Sequence, residues 1–547
     1  MPTRGGAATR ISLWAAAAAC VVLASCISPS PRAAMDYVGP EAEAPAPQPA
    51  VTTPPEKPLP LLPGISQEKP PTGPLQLTVT EAILVTLENN RGLAIVRYAP
   101  SIAQTFEEQE RATFDPDLTG ILLLQRTIEN QPGAASSRSQ SYAGHAGISQ
   151  FLPTGTQLDL FGGVTNQVLD TAPDAHRSAD VSLTVTQSLL RGFGTDVNLA
   201  SLRQARLDTE TSEYELRGFA EAIISQTEET YWDTQLARKR IAIFQQSLDL
   251  AQQQYDQTRQ RIELKVLAAS ELVAAEAEVA LRREDLIDAR SALEAIQLQM
   301  LRFLSPNERS FERELILTDE PSSPPEPSGT LEDHIQLALR MRPDLNAARL
   351  QAAKGELQLV KTRNGLLPQL NLFVTLGRTG YAQSFRDAAR NTDGNNYTSA
   401  VGMNFEYPLG NHLAEAQNTR AVLTLDQLRE AISNLAQLAE LDVRTAYIEM
   451  LRSKELMGAT AFTRKLQEQK FEVEKEKLLN GKSTSLLVAA TQRDLLTSQI
   501  AELQAVINYQ KSIVELYRFE GSLLTHHRIA APGANPPENV GPMGARW

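Results

Sequence analysis

Apolar positions along this chain repeat with two periods, and the longer one dominates. Ile241, Phe244, Leu248, Ala251, Tyr255, Thr258 and Ile262 recur at alternating steps of three and four, which places one apolar stripe along a helix. After a turn, Leu272, Val279, Leu286, Leu293 and Met300 keep a strict seven-residue repeat, the mark of helices that wind around neighbours. The two arms form a helical hairpin over Asp196–Phe303, and a second copy runs over Asn411–Phe519. The first arm, Asp196–Ile262, is free of proline, and its 67 residues would reach about 100 Å at the usual helical rise. Such a length exceeds any ordinary globular domain.

The rest of the chain is duplicated around these hairpins. A short helix is predicted over Thr78–Asn90, with Thr80 as a cap, then a second over Gly92–Phe114, kinked or broken at Pro100. Their counterparts are Leu331–Met341 and Asp344 to about Leu366, with Leu93 matching Leu345 and Pro116 matching Pro368 at an offset of 252. Leu189 matches Leu409 at 220, and Tyr231 matches Tyr447 at 216. One insertion of 32 residues in the first half accounts for the drop from 252 to 220. Gap-free blocks of this kind describe an internal duplication.

Between the helices the period changes to two. Leu370, Leu372, Val374 and Leu376 interleave with Asn371, Phe373, Thr375 and Gly377; Val181, Leu183 and Val185 interleave with Ser182, Thr184 and Thr186. Strands are predicted at about 117–130, 179–190, 369–379 and 398–409, and the insertion adds either a further hairpin around Ile148 and Leu158 or an external loop. A half-buried soluble sheet and a membrane barrel wall both fit this alternation. If the strands sit in a bilayer, four to six of them cannot close, and several chains must share one barrel.

Composition and the chain ends favour the membrane reading. Arg4 and Arg10 precede an apolar run, Ile11–Leu23, that is too short to span, and Leu23-Ala24-Ser25-Cys26 resembles a bacterial lipobox with Cys26 as the acylated residue. An ordinary secretory signal is the alternative. Cleavage before Cys26 takes the formal charge from -13 to -15 and leaves one cysteine, so the chain cannot form an internal disulfide. Residues 26–75 read as a lipidated, extended tether, with 14 prolines among the 49 residues from Ile27 to Leu75. The repeats are expected at 76–304 and 331–521, joined by a segment at 305–330, with a disordered tail at 522–547. The acidic balance argues against nucleic-acid binding. His526-His527 lacks a third ligand, and Gly481-Lys482-Ser483-Thr484 lacks both the first glycine and the preceding strand of a phosphate loop. No catalytic constellation, cofactor site or metal site emerges, so an enzyme is not expected.

The order of short motifs carries a resemblance. Asn90–Leu93 and Arg342-Pro343-Asp344-Leu345 open helices, and Asp115-Pro116-Asp117-Leu118 and Leu367-Pro368-Gln369-Leu370 open strands. Gln187-Ser188-Leu189-Leu190-Arg191-Gly192 and Tyr407-Pro408-Leu409-Gly410 close the strands. Over Leu77–Phe519 this resembles the outer-membrane efflux protein family, the TolC-like channels. The resemblance implies a mainly α fold with membrane β: duplicated coiled-coil hairpins building a periplasmic α-helical tunnel, and short strands forming one β-barrel shared by three chains, twelve strands in all. It implies a lipid-anchored, passive export duct across the outer membrane and periplasm of a Gram-negative-type bacterium, serving tripartite efflux or type I secretion. The implied partners are two further copies, outer-membrane lipid, a periplasmic adaptor at the hairpin tips and, indirectly, an inner-membrane pump. The tips are Leu264–Leu267 and Asn480–Ser483, which makes Lys265, Gly481 and Lys482 candidate adaptor contacts; Glu271 matches an acidic gate residue. Leu487 and Ala490 stand where an aspartate ring would bind cations, so cation block is not implied. A periplasmic adaptor or coiled-coil scaffold is the alternative, disfavoured because each of two hairpins follows its own pair of strands.

Overall fold

The computed structural model describes residues 75–129, 137–169, 172–265, 268–304, 311, 314–480 and 482–530. The expected signal peptide, Cys26, nearly all of the tether, and Gly481 lie outside the described residues. The described residues open with strand β1 (Leu75–Leu77) and helix α1 (Val79–Asn89). The cap of α1 is Thr78 rather than the expected Thr80. Thr78 is extended and has an acid three residues on, so its hydroxyl accepts from Glu81 N while the Glu81 carboxylate accepts from Thr78 N.

Helices α2 (Arg91–Val96) and α3 (Tyr98–Ala112) follow, split at Arg97. The break lies upstream of Pro100 because the proline ring excludes the carbonyl four residues back, that of Val96. Four strands come next: β2 (Asp117–Glu129), β3 (Ser137–Leu152), β4 (Thr156–Leu169) and β5 (Ala172–Ser188). A short α4 (Thr195–Asn198) leads into α5 (Ala200–Glu263), and α6 (Ser270–Leu304) returns beside it. The 64 residues of α5 extend about 96 Å.

Strand β6 (Leu315–Leu317) begins the second half, with α7 (Leu331–Met341), α8 (Pro343–Gly365), β7 (Gln369–Ala382), α9 (Phe385–Arg390) and β8 (Tyr397–Glu406). The long α10 (His412–Leu479) and its partner α11 (Ser485–Glu520) complete the repeat, before α12 (Leu523–His526). The duplication reaches the caps: Thr330 and Asp333 form on α7 the same capping box that Thr78 and Glu81 form on α1. In α8 the position matching Pro100 is Ala352, which is fully buried, and the helix is unbroken.

Helices α3, α5, α8 and α10 lie side by side in that order, with α6 folded along α5 and α11 along α10. Below the strands, β1 and β6 pair in parallel and are wedged among α5, α6 and α11. Leu77, Leu315, Leu317, Trp232, Met300 and Ile507 fill this knot. Buried within it, Tyr231 donates to Leu77 O at 3.1 Å and accepts from Asp319 N, and burial pushes its phenol up to about 12. The segment expected to join the repeats therefore contributes a strand to a belt at mid-height of the helices.

Two expectations are corrected. The resemblance implies four strands per chain, whereas the sheet has six, in the order β2-β3-β4-β5-β7-β8. The tail expected to be disordered from 522 begins with an ordered turn and the helix Leu523–His526. Gly521, at φ +70, closes α11 and turns the chain back, so Leu523 and Leu524 bury against Ile83, Ile224 and Val514. His526 stacks on Tyr517 with ring centroids 3.6 Å apart, and His527 pairs with Glu228 at 3.2 Å. These two histidines therefore contact different residues, and among the described residues no cluster of metal ligands forms.

Candidate functional site

The six strands, of 10 to 17 residues, are each long enough to cross the hydrocarbon core. Their register sorts side chains into two continuous faces. From β2 to β7 one row reads Leu118, Ile148, Leu160, Leu183, Leu376, meeting Ser399 in β8; its opposite-face neighbour reads Asp117, Ser149, Asp159, Thr184, Thr375, meeting Ala400 in β8. On the apolar face Leu122 is 91% exposed, Leu118 81% and Val401 74%. An uncovered apolar surface of this extent needs a non-aqueous or protein partner. Among the described residues no helix is long and apolar enough to cross a membrane.

Across the polar face, rings lie flat on glycines of the neighbouring strand. A Cβ at Gly147 would stand 2.1 Å from the Phe161 ring, one at Gly163 2.0 Å from the His145 ring, and one at Gly402 2.4 Å from Phe373. Each is a directly paired cross-strand couple. Glycine lets a bulky ring lie along the wall instead of projecting from it. At the far end of β7, the connection to β8 folds back over the apolar face: Ala388 is buried beside Gly380, and the Arg177 guanidinium sits 5.5 Å from the Phe385 ring.

The joint between sheet and helices is held by Asn198. Its side-chain amide donates to Pro153 O (3.1 Å), Gly192 O (2.9 Å) and Gly194 O (3.0 Å), tying the β3–β4 turn to the chain that leaves β5. Further down, Arg217 and Glu221 form an ion pair at 3.1 Å whose side chains are 2% and 3% exposed. Arg217 also donates to Gly521 O at 2.8 Å. Burial outweighs the pull of Arg217 and pushes the Glu221 carboxyl up to about 7. A second buried pair, His334 with Glu520, joins α7 to the end of α11, and burial likewise raises the Glu520 carboxyl.

The hairpin tips lie at the other end of the helices. Lys265 closes α5 in the left-handed region (φ 63), its amide donating to Ile262 O. Glu271 is half-buried in the first turn of α6, and among the described residues its carboxylate has no ion-pair partner. On the second tip Lys482 is exposed, its amide donating to Lys477 O at 2.8 Å. Beside it Glu474 accepts from Ser483 and Lys477, and the Lys477 ammonium holds its carboxyl below the usual range. Gln254 bonds Gln492 at 3.1 Å and Phe244 packs on Leu496, so both tips lie at one end of the helices. The candidates are thus divided, Lys265 and Glu271 on one tip and Lys482 on the other. Helix α10, not a strand, precedes the Lys482 turn, in keeping with the rejection of a phosphate loop.

Asn198, the ring-on-glycine couples and the Arg217–Glu221 pair were not legible in the sequence. Glycines inside alternating strands were a signal for the couples, but only the register says which ring faces which glycine.

Residues 334–522 match the family model described as outer membrane efflux protein. No curated protein matches the chain by sequence. Among solved structures, the outer-membrane channel OprN aligns with a TM-score of 0.63 at 16% identity, over 81% of this chain and 90% of that one. CusC aligns with a TM-score of 0.61 at 15% identity over 84% and 96%, and the Campylobacter jejuni CmeC outer membrane channel with 0.60 at 15% over 84% and 87%. At such identities the likeness is one of fold. This chain folds as the outer-membrane channels OprN and CusC do, and residues 334–522 are similar to the outer membrane efflux protein family.

Proposed function

We propose that three copies of this chain form a passive export duct, a shared β-barrel in the outer membrane continued by an α-helical tunnel into the periplasm. The observation that carries this is the six-stranded sheet, apolar on one face, polar on the other and unpaired along β2 and β8, set above helices of 64 and 68 residues. A membrane tolerates no open sheet edge, so the edges call for further copies. The polar face then lines the lumen. The duct serves a tripartite efflux or type I secretion system, in which an adaptor engages the tips at Lys265, Glu271, Gly481 and Lys482 and a pump supplies the energy. The mass of the detergent-extracted particle, corrected for bound detergent, tests the reading together with conductance in planar bilayers. Three chains and a conducting pore are expected; a monomer stable without detergent refutes it.

Two residues give local tests. Glu271 contributes to tip closure, so Glu271→Gln is expected to raise the open fraction several-fold in bilayer recordings. Unchanged openings and unchanged export remove it from the gate. Cys26 carries the lipid, so incorporation of labelled palmitate is expected in the full chain and absent from Cys26→Ser. Equal labelling of both would exclude Cys26 as the acylated residue.

A further inference from the structure

The insertion that distinguishes the first half of the chain from the second is built into the wall. Strands β2 and β3 are paired at 13 consecutive positions, from Asp117↔Ser149 to Glu129↔Ser137, and β3 and β4 at 14, from Ser139↔Leu169 to Leu152↔Thr156. Pairing of β4 with β5 continues from Thr156↔Gln187, with one irregularity between Gln167 and Leu169. A slip of one residue at any of these seams would turn a whole strand inside out. None has occurred: Ile148 and Leu160 stand in the apolar row between Leu118 and Leu183, and Ser149 and Asp159 stand in the polar row between Asp117 and Thr184. Two of the three ring-on-glycine couples, Phe161 on Gly147 and His145 on Gly163, belong to the inserted hairpin and match Phe373 on Gly402 in β7–β8.

The hairpin turn is fixed at the helical end of the sheet. Gly155 (φ +84) approaches the joint so closely that a Cβ there would lie 2.2 Å from Gly192 O. Ser188 N donates to Gly155 O (3.0 Å), Gly194 N to Thr154 O (3.2 Å) and Asn198 to Pro153 O. A loop external to the barrel would have no cause to be stitched to the root of α5.

We propose that β3 and β4 are permanent staves, so that three protomers close a barrel of eighteen strands and admit a bulkier polar cargo than twelve strands would pass. The proposal rests on the shared-barrel reading above and deepens it. Strand directions alternate through all six strands, so β8 of one copy meets β2 of the next antiparallel, and the ring closes without a parallel seam. Barrel diameter grows roughly linearly with strand number, which makes the bore about half again as wide and its cross-section about twice as large. Strand numbers of 16–18 are those at which barrels hold an open aqueous channel.

Cysteine pairs in the full-length protein in native membranes test the wall directly. Leu123 faces Ala143 across β2–β3, while Ser178 lies two further strands away in the same row. The pair Leu123→Cys with Ala143→Cys is expected to form a disulfide on oxidation, and Leu123→Cys with Ser178→Cys is not. The reverse result, with β2 pairing β5, overturns the proposal. A variant lacking residues 137–168 is expected to exclude smaller polyethylene glycols from its outer mouth and to conduct about half as much; unchanged polymer exclusion also overturns it. Should that variant fail to insert, the cysteine pairs still decide. A particle mass other than three chains would fault the shared-barrel reading, whereas a β2–β5 disulfide in a three-chain particle faults the eighteen-strand wall alone.

Discussion

Replacing Glu221 by alanine is expected to destabilise the folded protein by about 3–5 kcal/mol, because it leaves the Arg217 guanidinium inside the helices without the carboxylate it now donates to. Thermal unfolding in detergent, followed by circular dichroism, reads the effect. Glu221→Gln keeps an acceptor at the same place and should cost much less. The two variants also separate the pH dependence of this site. The Glu221 carboxyl titrates near 4.5 when unfolded and is raised to about 7 in the fold. Its contribution to stability is therefore complete below about 4.5 and is lost as pH rises through about 7, a loss on the order of 3 kcal/mol. The wild type should lose stability across that window and Glu221→Gln should not. Equal slopes for the two would mean that another group governs this range.

Arginine in place of Leu183 is expected to prevent insertion, whereas arginine in place of the adjacent Ser182 is expected to leave assembly intact. Leu183 lies mid-strand in the apolar row with Leu160 and Leu376, and Ser182 lies in the polar row with Phe161 and Gly377. In the proposed barrel a charge on the lipid face near the bilayer midplane costs about 2–4 kcal/mol, and three copies would suffer that cost three times. On the lumen face the same charge stays in water and should shift ion selectivity toward anions. Outer-membrane yield of the heat-resistant oligomer and reversal potentials in a salt gradient measure the two effects. Loss of insertion with Ser182→Arg and tolerance of Leu183→Arg would invert the faces assigned to the sheet.

Much of the architecture was legible from periodicity. The seven-residue repeat from Leu272 to Met300 and the proline-free run before it announced α5 and α6, since helical hydrogen bonds are local and an apolar stripe needs only the helix's own period. The duplication located α7, α8 and α10 from their counterparts, and even the capping boxes at Thr78 and Thr330 obey its offset. The alternation at 369–379 identified β7 in the same way. Pro100 foretold a broken helix but misplaced the break, because the steric conflict falls on the carbonyl of Val96 rather than on the proline itself.

Tertiary structure decided what depends on partners distant in the chain. A period of two says that a segment is a strand and says nothing of its neighbours, so whether the insertion joined the sheet or left it could be settled only by the ladders from Asp117 to Gln187. Asn198 reads in sequence as an ordinary polar residue at the end of a short helix; it becomes a clamp because folding brings Pro153 and Gly192 to it. Arg217 and Glu221, four residues apart, have the spacing of a solvated surface pair on a helix. They are buried because the end of α11 closes over them at Gly521, a contact between chain segments that no local pattern encodes. Local patterning along the chain set which segments are helices and strands and that they occur twice, because local hydrogen bonding and burial periods are written residue by residue. The number of strands in the sheet, their register and the charges sealed beneath the end of α11 were decided by contacts across the chain, where side chains far apart in sequence share one desolvated environment.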